Sequence, residues 1–355
     1  MSRCRGCGSQ RLQRVLDLGA VPAADHFPPV TEPIRAEEAS HPLAMDLCGR
    51  CGLAQLAEDD TVTSEPRGVE PQALKDQAAD AVARVDRAGW LTGKTVREFG
   101  SPHGGSWLGL LADRGFTAVT GAQGPADVVL DCFGIMHEPD QRAAFAERAA
   151  ATAADGVLLL QYHALSAIVR QGQWNALRHG HFAYYSAPAL QRLLAGAGMA
   201  VVDSWHFDLY GGTVLVAAVH GTNEKPGAAA DEATELLRGG ALQRAADSRV
   251  RGLRRWLLDR RRDGQRVYGY GAASRAVALF ALAGLDRSLL AAVADAAPAK
   301  QGRRMPGTDI PVISPDRLVA ADPDLVLLTL SDLSDEVSAD FPELAGRWVV
   351  LDRDL

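Results

Sequence analysis

Four of the five cysteines in this 355-residue chain fall into two C-x-x-C pairs, Cys4 with Cys7 and Cys48 with Cys51. Each C-x-x-C turn aims two sulfurs the same way, so the two pairs together offer four thiolates to one tetrahedral Zn²⁺. With every ligand position taken by protein, none stays open for water, and the metal is expected to organise the fold without doing catalysis. Cys132 stands apart from the four and reads as a buried residue.

A second group that could do chemistry is Glu98-Phe99-Gly100-Ser101-Pro102-His103-Gly104. An acid at a strand end, followed by glycines that permit a tight turn, lets backbone N–H groups and a helix N-terminus approach a ligand. Glu98, Gly100 and Gly104 are therefore the expected cofactor-binding positions. Taken alone the pattern is not specific to one cofactor.

These residues need a scaffold, and hydrophobic periodicity supplies one. Residues 1–60 read as a small, turn-rich zinc module containing a strand at Val15-Leu16-Asp17-Leu18-Gly19, followed by a polar linker over 61–75. A first α/β unit over 76–220 begins with a helix at 76–89. Strands are expected at 95–99, 126–130 and 156–160, and helices at 107–114, 140–153 and 187–198. Two last strands near 200–208 and 213–219 suit an antiparallel edge. After a Gly/Pro/Ala linker over 221–230 comes a second α/β unit, 231–355. It opens with one long helix over 231–263, then a strand at 266–270, a helix at 275–284 and strands near 290–294 and 325–329. Strands alternating with helices predict mostly parallel sheets covered on both faces. The fold class is α/β, with a zinc module, a central Rossmann-like domain and a C-terminal α/β domain.

Composition narrows the partners. Lys plus Arg total 37 against 44 Asp plus Glu, a net charge of −7, so a polyanion-binding surface is not expected. The arginines between Arg249 and Arg266 interleave with Val250, Leu253 and Leu257 at helical spacing and read as a solvated helix face. There is no apolar leader and no run of about 20 apolar residues, so a cytoplasmic protein without membrane contact is expected.

The ordered set of motifs resembles the zinc-containing nucleotide-sugar C-methyltransferases of antibiotic deoxysugar pathways. It comprises the cysteine pairs, Glu98 to Gly104, His137-Glu138-Pro139-Asp140 and His179-Gly180-His181-Phe182-Ala183-Tyr184-Tyr185-Ser186. Tyr270-Gly271-Ala272-Ala273-Ser274 and Pro298-Ala299-Lys300-Gln301-Gly302-Arg303 complete it. The resemblance implies S-adenosylmethionine at the Glu98 turn and a small-molecule acceptor, a nucleotide-linked ketosugar. It also implies proton removal beside a ketone, with carbon attack on the sulfonium methyl. His181 is implied as the base and His137 as a second histidine near the sugar. Tyr184 and Tyr185 are implied to border the sugar, Gly211 and Gly212 to let backbone lie close to it, and Ser274 and Lys300 to meet a nucleotide diphosphate.

Some positions depart from the family. Where relatives carry an acid that accepts ribose hydrogen bonds, this chain reads Val119-Thr120-Gly121-Ala122-Gln123, and it then runs almost directly to the next strand. Gln123 is expected to substitute in part. The family's Y-x-E-H is Arg178-His179-Gly180-His181 here, and Gln161 stands where a glutamate is common. A second reading therefore stays open: a relative that kept the architecture and uses His181 for proton transfer alone, or acts as a non-catalytic partner.

Overall fold

The computed structural model describes residues 2–61, 70–101, 105–221 and 231–354. Three sheets organise the chain. In the first, β1 (Leu12–Val21), β2 (His41–Cys48) and β3 (Ala54–Leu56) form an antiparallel meander.

The central sheet contains β4 (Thr95–Phe99), β5 (Thr117–Ala118), β6 (Ala126–Cys132) and β7 (Thr152–His163), all parallel. The next strand, β8 (Ala183–Tyr184), leaves this sheet and pairs with β3 of the first. The chain then returns as β9 (Met199–Phe207) and β10 (Thr213–His220), giving the order β5-β4-β6-β7-β10-β9. The expected antiparallel edge is present, since β10 runs against both β7 and β9. Both faces of this sheet are covered. Leu158, Leu160 and Val129 join one core, while Val157, Leu159, Val128 and Leu130 join another. Burial on two faces explains why these strands read as continuous apolar runs.

The third sheet is wholly parallel: β11 (Val267–Tyr270), β12 (Val293–Ala294), β13 (Val312–Ile313), β14 (Leu325–Leu328) and β15 (Trp348–Val350), in the order β13-β12-β11-β14-β15. The expected single helix over 231–263 is two, Glu232–Arg238 and Ala241–Arg262. Gly239 and Gly240 separate them, and Gly240 takes φ 75°, a left-handed conformation that ends a right-handed helix and suits glycine. Between β5 and β6 lies only a single turn, Gly121–Gln123, as the short spacing predicts. The linker residues 62–69 and 222–230 lie outside the described residues. No helix among the described residues is long and apolar enough to cross a membrane.

The three units share one core. Leu16, Phe27 and Met45 of the N-terminal unit, Trp174 and Tyr184 of the central unit, and Leu253, Phe280 and Met305 of the last belong to one buried cluster. An ion pair reinforces the joint: Arg304, 2% exposed, sends Nη1 to Glu38 Oε2 at 2.7 Å and Nη2 to Oε1 at 2.6 Å. Arg304 is the buried partner and Glu38 is partly exposed, so Arg304→Ala removes charge-assisted hydrogen bonds worth about 1.5–3 kcal/mol and should lower stability by that order. The same pair predicts acid sensitivity. The guanidinium holds the Glu38 carboxyl below its ordinary range. Its contribution is therefore complete above the unfolded carboxyl pKa, about 4.3, and is lost as pH falls through and below that value. Urea midpoints measured between pH 6 and pH 3 check this: the gap between wild type and Arg304→Ala should narrow in acid.

Candidate active site

The four cysteines converge. Their Sγ atoms all lie within 4.8 Å of one another, with Cys4 to Cys51 at 3.5 Å and Cys7 to Cys48 at 3.7 Å. A ZnS₄ tetrahedron with bonds of about 2.3 Å has edges of roughly 3.8 Å, so the donor set fits structural zinc. Cys132 lies far from this cluster in the chain, and burial pushes its thiol well above the ordinary range.

His137 and His181, separated by more than forty positions, meet edge to face with ring centroids 4.4 Å apart. The ring of His137 donates from Nδ1 to Gly180 O at 2.9 Å. Arg178 Nε donates to His181 Nε2 at 2.7 Å. A guanidinium has no acceptor, so His181 Nε2 carries a lone pair and the imidazole is neutral in this arrangement. A neutral imidazole with its lone pair on Nε2 is the form that accepts a proton.

The supports of this pair were only partly visible in the sequence. His137 rides on the turn Ile135–His137, and Asp131 Oδ1 accepts from Gly134 N at 2.8 Å and Ile135 N at 2.9 Å. Asp131 is fully buried against Arg148 at 2.9 Å; burial pushes its carboxyl up while the arginine opposes the shift. Gln141 Nε2 donates to the carbonyls of Ile135 and Glu138, and its Oε1 accepts from the Tyr185 hydroxyl. Tyr185 is thus a core residue bracing the His137 turn, and it does not border an open site. Tyr184, also buried, donates to Ala176 O and accepts from Arg178 N, so it supports the loop of Arg178 to His181 from behind.

The zinc module holds the same loop from the other side. Asp59 Oδ2 accepts from Gly180 N at 2.7 Å, and Leu56 N donates to Phe182 O at 3.2 Å. Arg5, between the first two cysteines, lays its guanidinium over the Phe182 ring at 4.7 Å and donates to Leu56 O and Pro139 O. Asp59 is a residue that sequence reasoning missed, because nothing local marks it. Asp131 did carry a signal, an acid directly after the apolar run Val128-Val129-Leu130.

At the cofactor turn, Glu98 accepts from Ser106 Oγ at 2.6 Å and Trp107 N at 2.7 Å, closing the loop that follows β4. Gly100 O lies so close to Gly134 that a Cβ there would come within 3.0 Å of it. Gly104 lies outside the described residues. Gln123 does not serve as the expected substitute acceptor: its Oε1 is spent on Thr120 N at 2.7 Å, within its own turn. Gln161 is likewise spent, donating to Gln77 at 2.7 Å.

Ser274 and Lys300 are both buried. Ser274 Oγ accepts from Arg178 Nη1 at 2.5 Å, which ties the loop of Arg178 to His181 to the C-terminal unit. Lys300 is no surface lysine: Nζ donates to Ala272 O at 2.9 Å and sits over the Phe27 ring at 5.1 Å. Gly211 takes φ 75°, a left-handed backbone that suits glycine, and a Cβ on Gly212 would stand 2.5 Å from Ala167 Cβ, so both positions are accounted for inside the protein.

Comparison with known proteins follows this division. Residues 4–64 match a zinc binding domain, 67–204 a methyltransferase domain and 209–351 a C-methyltransferase C-terminal domain. The C-methyltransferase NovU of Streptomyces niveus is 29% identical over 403 residues, covering 99% of this chain and 95% of that protein. That alignment is longer than the 355-residue chain, so gaps stand opposite parts of the relative. Among solved structures, a magnesium protoporphyrin IX methyltransferase from Synechocystis with bound SAH gives a TM-score of 0.31 at 15% identity. It covers 43% of this chain and 90% of that one. The mitomycin 7-O-methyltransferase gives 0.31 at 16% identity, covering 41% and 53%.

Proposed function

We propose, from the premise that the chain belongs to the C-methyltransferases that carry a zinc-binding domain, that it methylates the carbon beside a ketone in a nucleotide-linked deoxysugar. The observation that carries this reading is the His137–His181 pair, 4.4 Å apart, with His181 Nε2 held as an acceptor. Removing a proton next to a carbonyl needs a base that is neutral near pH 7 and a donor for the oxygen that becomes negative. His181 suits the first role. Arg178, already hydrogen-bonded to it, suits the second once substrate displaces that bond.

When bound, S-adenosylmethionine supplies an electrophilic methyl group on a sulfonium. The turn after β4, closed by Glu98 and exposed at Gly100, fits its amino-acid end. At the ribose end the fit is poorer, since Thr120 and Gln123 satisfy each other and no carboxylate stands there. Hydrogen bonds to a charged acceptor are worth about 1.5–3 kcal/mol each. Thr120→Glu, on an exposed position at the end of β5, should therefore tighten cofactor binding at least about tenfold. Calorimetric titration with S-adenosylhomocysteine measures this, and an unchanged affinity would remove the account of the ribose end.

The same gap favours a second reading, proton transfer without methylation. Incubation with a nucleotide 4-ketosugar in D₂O separates the two. Deuterium entering beside the ketone, together with one methyl gained when S-adenosylmethionine is added, is the expected result. Deuterium without methylation would replace the proposal by the second reading, and neither would remove both. We assign the protein to the cytoplasm, where thiols stay reduced for zinc.

A further inference from the structure

His137 meets the loop of Arg178 to His181 through a glycine. Its Nδ1 lies 2.9 Å from Gly180 O, and a carbonyl can only accept, so Nδ1 carries the proton of this bond. In the neutral ring Nε2 is then the acceptor nitrogen. Gly180 itself takes φ 77°, one of several conformations open to glycine at similar cost. Its own preference therefore does not fix the direction of its carbonyl, and its partners must.

The anchor comes from the zinc-binding unit. Asp59 Oδ2 accepts from Gly180 N at 2.7 Å, which holds the peptide on the near side of the glycine. The other carboxylate oxygen, Oδ1, accepts from Thr61 N at 2.9 Å and from Thr61 Oγ1 at 2.7 Å, a local turn that orients the carboxylate. On either side of Gly180 the chain is tied as well. His179 Nε2 meets Pro42 O at 3.2 Å, and Phe182 N donates to Met136 O at 2.7 Å, one residue before His137. With both flanks tied and Asp59 on the N–H, the Gly180 carbonyl has one direction left, toward His137.

We propose that Asp59 is a positioning residue for the reaction: by anchoring Gly180 it fixes His137 as the Nδ1-protonated tautomer and leaves Nε2 as its hydrogen-bond acceptor toward the substrate. Asp59 touches no reacting atom and acts only through the backbone of Gly180. A neutral ring in this tautomer has no Nε2–H to give to a developing oxyanion, so that duty falls to Arg178. The place of His137 in the reaction rests on the function proposed above. Its tautomer does not.

The test uses the full zinc-loaded chain with ¹⁵N-labelled histidines, because the protonated and bare nitrogens of a neutral imidazole resonate far apart and so report the tautomer. His137→Gln identifies the His137 signals among the nine histidines. At a pH where the ring is neutral, wild-type His137 should show a protonated Nδ1 and a bare Nε2. In Asp59→Ala the two shifts should move toward one another as the ring exchanges between tautomers. Turnover should fall about 10–100-fold, the order that a small misplacement costs, with the KM for S-adenosylmethionine within about twofold. Thr61→Val removes the Oγ1 contact and leaves Oδ2 on Gly180, so it should match the wild type in both readouts. The proposal is overturned if wild-type Nε2 carries the proton, if Asp59→Ala keeps the wild-type shifts or turnover, or if Thr61→Val reproduces the losses. It is also overturned if Asp59→Ala loses zinc or melts several degrees lower, which would make Asp59 a structural residue. Failure of the proposed function would look different: the wild type exchanges no deuterium and transfers no methyl, while the shifts still separate it from Asp59→Ala.

Discussion

His181→Gln is expected to lower turnover by about 10²–10⁴-fold, the range contributed by a positioned general base. Cofactor affinity should stay within about twofold. The substitution is chosen because the amide oxygen can still accept from Arg178 Nε, which now lies 2.7 Å from His181 Nε2. The base loop then keeps its tie to Ser274 through Arg178 Nη1. His181→Ala would remove the base and the acceptor together, leaving a half-buried guanidinium short of one partner. The pair of variants separates proton transfer from positioning. Loss in both assigns the proton to His181, whereas near wild-type turnover in His181→Gln would sink the assignment. Single-turnover kinetics with saturating cofactor is the cleanest measurement, since it isolates the chemical step.

The second large effect concerns metal. Cys48→Ser, or a strong chelator, should abolish stoichiometric zinc and with it a binding free energy on the order of 10–16 kcal/mol for modules of this type. The consequence should reach beyond the module. Arg5, in the first cysteine turn, contacts Phe182, Leu56 and Pro139, and β3 pairs with β8 directly beyond the base loop. Losing zinc is therefore expected to remove activity as well as melt the N-terminal unit, although no ligand position on the metal is open for catalysis. Metal analysis beside thermal denaturation tests this. A Cys48→Ser protein with one zinc per chain, or with unchanged midpoint and turnover, would contradict it.

Much of the scaffold was readable in advance because its signals are local. The apolar stretches within β6, β7 and β10, the alternation in β9 and the spacing of C-x-x-C pairs each depend on a few neighbouring residues. The single helix expected over 231–263 failed for an equally local reason, since the apolar spacing continues through Gly239-Gly240 while the backbone does not. Short elements such as β8 and β13, two residues each, have no period to detect.

The sequence by itself determined the zinc ligands and the α/β alternation, because thiolate spacing and hydrophobic period are properties of short stretches of chain, while the class of chemistry came from the family resemblance that its motif order carries. Only the tertiary structure decided what surrounds His181. Asp59 reaches Gly180 across 121 positions, Arg178 reaches Ser274 across 96, and Tyr185 turns from a presumed sugar contact into a brace for the His137 turn. Those partners are chosen by the shared core, which brings remote segments to hydrogen-bonding distance and lets buried polar groups satisfy one another. No local pattern specifies that choice.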